Sequence, residues 1–138
     1  MKKMPLFIFI LCILTSTSPL LLAELLAADN NSIVVEEAKI CRGVINRTPL
    51  GTRETFPASV GKLYCFTKIT NCNSHTEISH IWYFGDRKRA EVKLQIKPPK
   101  WRTYSSKRIQ THETGDWHVD IAEPSGKVIH TLRFKIIP

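Results

Sequence analysis

Apolar and polar residues alternate one for one along several stretches of the chain, most clearly in 89–96, 117–122 and 127–137. A period of two is the spacing of a β-strand that buries one face and exposes the other. No stretch beyond residue 28 carries a helical period of useful length. The pattern therefore predicts strands, and no helices, in the remainder of the chain.

Turn-forming residues separate these stretches. "GDRK" (85–88) and "EPSG" (123–126) each lie between two strand-like stretches and predict hairpins. "KPPK" (97–100) interrupts any ladder, because proline has no N–H to donate. About seven strands in about 110 residues predict an all-β fold, an antiparallel immunoglobulin-like β-sandwich. The predicted strands are 32–44, 62–70, 77–84, 89–96, 101–109, 117–122 and 127–137.

The first 28 residues differ from the rest. A short positive patch, "MKK", precedes the unbroken apolar run "PLFIFILCIL" (5–14). These are the n-region and h-region of a secretory signal peptide, with cleavage predicted near Ala28. The alternative is an uncleaved anchor over 5–28, a length that suits a bilayer. The predicted organisation is a signal peptide or anchor (1–28), an N-terminal lead-in strand (29–39) and a β-sandwich domain (40–138).

Export would place the domain in the periplasm or outside the cell, or leave it anchored in the inner membrane and facing the periplasm. Such compartments permit disulfides. Three cysteines follow the signal segment, so one is unpaired or pairs between chains. Cys41 and Cys65 lie in strand-like stretches and Cys72 in a turn-like one, which favours a Cys41–Cys65 disulfide. The alternative, Cys65–Cys72, would require a tight hairpin.

Positive charge is the main compositional feature, with a formal net charge of +8. The charge is explained by solubility alone or by an anionic partner, and for an exported domain such a partner would be an anionic glycan, a lipid headgroup or a cell-wall polymer rather than nucleic acid. In "WRTYSSKRI" (101–109) the strand period places Arg102, Tyr104 and Arg108 on one face. That composition is typical of an edge strand protected by charge, and also of a sugar- or anion-binding surface. The predicted β-hairpin tip adds Arg87, Lys88 and Arg89 as a candidate extension, although a charged tip is first of all typical of a solvated turn.

No motif indicates catalysis or metal binding. The serines of "WRTYSSKRI" lack a Gly-x-Ser-x-Gly elbow, and no CxxC spacing is present. His80 and His130 share strand faces with apolar residues, so both are predicted to point into the core. His118 and Asp120 share an outer strand face, but no close third ligand accompanies them in sequence. We therefore predict no catalytic residue, no metal and no cofactor.

Four sequence elements occur in an order that resembles the bacterial family called domain of unknown function 2914. They are "CRGV", "VGKLYCF", "HIWY" and "WRTYSSK", and the resemblance extends over nearly all of residues 40–136. It implies an exported or membrane-tethered domain and brings no catalytic residues, because the family has no assigned activity. Cys41 and Cys65 match family positions, which supports their pairing and leaves Cys72 as the odd thiol.

Together these observations predict a non-catalytic binding or interaction module of the cell envelope, in a protein of unknown function. The expected partner is an envelope protein or an anionic envelope polymer, bound through Arg102, Tyr104 and Arg108, with the hairpin tip as an extension of that surface. Contact with a membrane is expected only through an uncleaved N-terminal segment. The alternatives are an envelope enzyme or metal-binding protein using His118 and Asp120, and a structural domain tethered by residues 5–28.

Overall fold

The computed structural model describes residues 32–138, so the predicted signal segment and its cleavage site lie outside the described part of the chain. Within residues 32–138, seven strands have eight or more residues, three have only three, and one turn of 3-10 helix is present at Ala58–Val60. No helix within this part is long and apolar enough to cross a membrane. In chain order the strands are β1 (Val34–Cys41), β2 (Gly43–Ile45), β3 (Thr48–Leu50), β4 (Thr55–Pro57), β5 (Lys62–Thr70), β6 (Thr76–Phe84), β7 (Arg87–Ile96), β8 (Trp101–Arg108), β9 (Gly115–Ala122) and β10 (Val128–Ile137).

The long strands form two sheets that pack face to face. One sheet has the order β1-β5-β8 and the other β4-β10-β9-β6-β7, while β2 and β3 form a two-stranded ribbon. Neighbouring strands are antiparallel except for β4 and β10, which pair in parallel. This strand order is that of an immunoglobulin-like sandwich. The predicted β-sandwich is therefore confirmed, and the seven predicted strands correspond to the seven long ones.

Aromatic side chains fill one end of the space between the sheets. Phe134 packs edge-on against Phe56 and Trp82, each at 6.3 Å between ring centroids, and stacks on Trp117 at 5.9 Å. Offset and edge-on ring pairs of this kind each contribute about 0.5–1.5 kcal/mol beyond the burial of their area. A second cluster, made largely of isoleucines, fills the rest of the interior. The apolar residues of the long strands supply most of both clusters.

The stretch 45–61, predicted as a long connection, contains most of the three short strands. β2 and β3 are joined by a two-residue turn, and β4 inserts Phe56 into the core beside β10. Prolines at positions 49 and 57 hid these strands in the sequence, since proline normally argues against a strand. The same residues are tolerated here because each strand has only three residues. β1 begins at Val34, inside the predicted lead-in, and continues to Cys41.

The prediction that His130 points into the core is wrong. The pairing of β10 with β9 shifts between Val128 and His130, which marks a β-bulge. A bulge opposes two residues to one and interrupts the regular alternation of faces. Ile129, at the bulge, packs against the core, and His130 is exposed.

Candidate functional site: a basic aromatic sheet face

The predicted binding residues of β8 lie together on the outer face of the three-stranded sheet. β8 is an edge strand that pairs with β5. Arg102, Tyr104 and Arg108 are exposed, and Tyr104 keeps 48% of its surface in solvent. Ser105, between them, points inward and is buried. The strand period thus predicted the separation of the two faces of this segment.

Pairing with β5 adds more positive charge to the same face. Lys62 lies directly opposite Arg108, and Lys68 lies directly opposite Arg102. Like charges directly opposed across two strands destabilise a sheet. Lys68 is partly neutralised by Glu36, whose carboxylate is 3.3 Å from the ammonium group. Two such pairs on one face therefore cost stability that an anion bound there would restore.

Each pair of opposed cations, Lys62 with Arg108 and Lys68 with Arg102, forms a charged row across the two strands. Aromatic rings lie between these two rows. Tyr64 and Tyr104 contact each other edge-on, with ring centroids 5.9 Å apart. Lys62 places its ammonium 5.7 Å from the centre of the Tyr64 ring. Phe66 lies opposite Tyr104 in the register and is buried. We name the following set the basic face: Lys62, Tyr64, Lys68, Arg102, Tyr104 and Arg108.

Three members of the basic face were missed by sequence reasoning, namely Lys62, Tyr64 and Lys68. The signal was present, because "KLYCFTKIT" (62–70) places these residues on one side of a period of two. The sequence did not show which strand lies beside this one. Only the fold shows that this strand pairs with β8 in a register that aligns the two sets.

The hairpin residues Arg87, Lys88 and Arg89 lie on β7, at the edge of the other sheet, and the structure does not bring them to the basic face. Lys88 forms an ion pair with Glu91 at 2.7 Å, which raises the pKa of Lys88 and lowers the pKa of Glu91.

Arg89 forms an ion pair with a buried acid. Its guanidinium lies 3.0 Å from the carboxylate of Glu113, whose side chain is 1% exposed. The other carboxylate oxygen of Glu113 accepts a hydrogen bond from the backbone N–H of Gln110 at 2.9 Å. This contact joins β7 to the connection between β8 and β9, so Arg89 stabilises the fold.

A buried polar network crosses the core beneath the basic face. The two ring nitrogens of His80 lie 2.8 Å from the hydroxyls of Thr67 and Ser105, and the indole N–H of Trp82 donates to Ser105 at 3.1 Å. Burial lowers the pKa of His80 from 6.5 to about 4. The prediction of a hydrogen-bonded core histidine is confirmed.

The distance between Ser105 and His80 is that of a nucleophile and its base, but both residues are buried. His80 is fully buried and Ser105 is 4% exposed, so neither is open to a substrate. The Ser105 oxygen already accepts the indole proton of Trp82. The network therefore satisfies polar groups inside the sandwich, as buried polar atoms require.

His118 and Asp120 each have a neighbour on the outer surface of β9. His118 stacks on Tyr83 with ring centroids 4.6 Å apart, and Asp120 accepts a hydrogen bond from Thr131 at 2.8 Å. Among residues 32–138, no three His, Cys, Asp or Glu side chains converge as metal ligands.

The predicted disulfide between Cys41 and Cys65 is not formed in the structure, where both residues and Cys72 are free, buried thiols. Cys41 lies opposite Tyr64, whereas Cys65 lies opposite Ile40. Directly opposed residues share a face and successive residues alternate, so the two cysteine side chains leave the sheet on opposite sides. A bridge would require one of them to turn through the sheet.

These features define an immunoglobulin-like β-sandwich with an exposed basic aromatic sheet face. Residues 75–136 match the family described as Protein of unknown function (DUF2914), which supports the resemblance seen in the sequence motifs. The matched segment contains β8 with Arg102, Tyr104 and Arg108, while β5 precedes it. No curated protein matches the chain.

Among solved structures, a β-glucosidase from Erythrobacter marinus is similar to this chain, with a TM-score of 0.53 at 8% sequence identity. The similarity covers 77% of this chain and 15% of the glucosidase chain. At this identity the likeness shows the fold alone, because unrelated functions share such sandwiches.

Proposed function

We propose that the domain is a non-catalytic binding module that recognises an anionic polymer of the cell envelope through the basic face. The observation that carries this proposal is the pair of like-charged rows, Lys62 opposite Arg108 and Lys68 opposite Arg102. Charges of one sign placed side by side on an exposed surface attract ligands of the opposite sign. They also cost stability in the absence of a ligand.

The spacing of the rows suits an extended ligand better than a small ion. Lys62 and Lys68 are six positions apart along β5, which corresponds to about 20 Å. Tyr64 and Tyr104 lie in the interval and offer aromatic surface on which sugar rings can pack. A polymer with repeated anionic groups would contact both rows and the tyrosines at once.

The sequence of the N-terminal segment supports a periplasmic or secreted location for this module. A basic n-region followed by an apolar h-region is the pattern of a signal peptide. Such a compartment would hold the proposed polymer. N-terminal sequencing of the exported protein tests the location, since cleavage near Ala28 is expected and an intact N-terminus would favour the tethered alternative.

The binding test compares two variants that lose the same number of positive charges. Arg102→Ala, Tyr104→Ala and Arg108→Ala are combined in one variant, and Arg87→Ala with Lys88→Ala in the control on the other sheet. Pull-down against purified peptidoglycan, lipopolysaccharide and anionic vesicles measures binding. We expect the triple variant to lose about tenfold or more in affinity for one of these, and the control to bind like the wild type.

Two results would contradict the proposal. Equal binding by the triple variant would show that the basic face is not the binding surface. Equal losses in both variants would show that only net charge matters. Aggregation of the triple variant with unchanged binding, followed by light scattering, would instead assign these residues to protection of the β8 edge.

A further inference from the structure

A second feature lies at one end of the basic face, where the turn between β2 and β3 approaches the start of β8. It is an open pocket of about 450 Å³. Four of its six lining residues are cations and none is a carboxylate. The lining residues are Asn46, Arg47, Lys68, Lys100, Trp101 and Arg102.

Arg47 reaches this pocket from a backbone conformation that arginine disfavours. Asn46 and Arg47 form the two-residue turn of the β2–β3 ribbon, with φ values of 49° and 57°. Turns with two positive φ angles favour Asn followed by Gly, because a side chain in the second position is strained. A strained residue of this kind is a sign of function where its side chain has a defined role.

The side chain of Arg47 has such a role at the pocket wall. Its guanidinium lies 5.1 Å from the centre of the Trp101 ring, and the ammonium of Lys97 lies 5.3 Å from the same ring. Stacking on an indole fixes the orientation of a guanidinium without neutralising its charge. Arg47 thereby lines the pocket together with Lys68, whose ammonium is also 3.3 Å from the Glu36 carboxylate, and with Arg102.

We propose that this pocket binds a phosphate group carried by the anionic ligand. A phosphomonoester brings nearly two negative charges near pH 7 and three acceptor oxygens, which matches several converging cations better than a single carboxylate does. Arginine pairs with phosphate through two parallel hydrogen bonds. The inference rests on the proposed function, since Lys68 and Arg102 belong both to the pocket and to the basic face.

The test uses Arg47→Gly, which separates a binding role from a structural one. Glycine is the preferred residue at this turn position, so the variant should melt at the same temperature as the wild type or higher. Isothermal titration with inorganic phosphate and with glucose 1-phosphate should show a loss of about tenfold in affinity, the size expected for a lost charge-assisted contact. Glucuronic acid, which carries a carboxylate, should bind the wild type more weakly than glucose 1-phosphate.

Vesicles of phosphatidylcholine with phosphatidic acid identify the source of the phosphate. Binding to these vesicles that Arg47→Gly weakens would assign a lipid headgroup, and weakened binding of the sugar phosphate alone would assign a phosphorylated glycan. Absence of phosphate binding by the wild type, or equal phosphate binding by Arg47→Gly, would overturn the inference.

Failure of the pocket and failure of the basic face are distinguishable. The double variant Tyr104→Ala with Arg108→Ala leaves all six lining residues intact. Polymer binding lost in this variant, with phosphate binding equal in Arg47→Gly and wild type, would overturn the pocket alone. Phosphate binding lost in Arg47→Gly, with polymer binding kept in the double variant, would support the pocket and contradict the wider face.

Discussion

The buried environment of His80 makes the stability of the fold depend on pH. Burial lowers the pKa of its imidazole from 6.5 to about 4. As pH falls, the unfolded chain therefore takes up the proton before the folded protein does. The free energy of unfolding should decline between about pH 6.5 and pH 4, with a loss of roughly 2–3 kcal/mol at pH 4.5. Urea denaturation at pH 7 and pH 4.5 measures the loss.

A pair of histidine variants isolates this contribution. His130→Gln alters an exposed ring and should keep the pH dependence, whereas His80→Gln should flatten it. In the wild type, an NMR titration of the folded protein should find the His80 ring still neutral at pH 5.5. A ring that titrates near 6.5 would contradict the assignment.

The sequence predicted a disulfide between Cys41 and Cys65, whereas the structure has free thiols, and a thiol count distinguishes the two. Burial raises the pKa of Cys41 and of Cys65, so both should be neutral, unreactive thiols in the folded protein. A thiol reagent should leave the cysteines of residues 29–138 unlabelled in the folded protein. After denaturation without reductant, it should label three thiols per chain. A count of one would show that a disulfide forms after all.

Among the strands and their connections, the ion pair between Arg89 and Glu113 links β7 to the segment that follows β8. Arg89→Ala would leave a buried carboxylate without its cation and should cost about 2–3 kcal/mol, discounted for the partial exposure of the arginine. Glu113→Gln should cost less, because the remaining guanidinium can reach water. Thermal or urea denaturation ranks the two variants.

Arg87→Ala is the matched control on the same strand, since Arg87 is exposed. Its effect should stay within about 0.5 kcal/mol. Equal stability of Arg89→Ala and Arg87→Ala would contradict the structural role given to Arg89. The same comparison explains why three adjacent basic residues that look equivalent in sequence differ in the fold.

The long strands were predictable because several of them alternate and turn residues separate them, and both signals are local properties of the sequence. The stretch 62–70 was predicted with the bounds of β5 itself. The ribbon of β2 and β3 was not predictable in this way, because three-residue strands carry too little pattern and contain proline. The bulge in β10 was missed for a related reason: it is produced by pairing with β9.

At the scale of the whole molecule, the net charge and the position of the cations both affect the affinity for an anionic ligand. The chain carries +8, and the basic face gathers four of the cations on one exposed sheet. The affinity for an anionic polymer should therefore fall as the salt concentration rises, because dissolved ions screen the attraction between protein and ligand charges. The screening (Debye) length is about 8 Å at physiological ionic strength. Titrations between 50 mM and 500 mM NaCl measure the slope.

The triple variant of the basic face provides the comparison for this slope. It should show a shallower dependence on salt than the wild type, because it has fewer cations in contact with the ligand. The variant with Arg87→Ala and Lys88→Ala should keep the wild-type slope. A salt-independent affinity in the wild type would indicate that the tyrosines, and not the cations, dominate recognition.

The sequence by itself determined the β-sandwich, the inward-pointing His80 and the shared face of Arg102, Tyr104 and Arg108, because these follow from a period of two within single strands. The tertiary structure decided which strands are neighbours. Only strand pairing could place Lys62 and Lys68 beside those residues and bring Arg47 to Trp101. It also turned Cys41 away from Cys65 and gave Arg89 a buried partner. These outcomes depend on register and on contacts between distant segments, which no local pattern encodes.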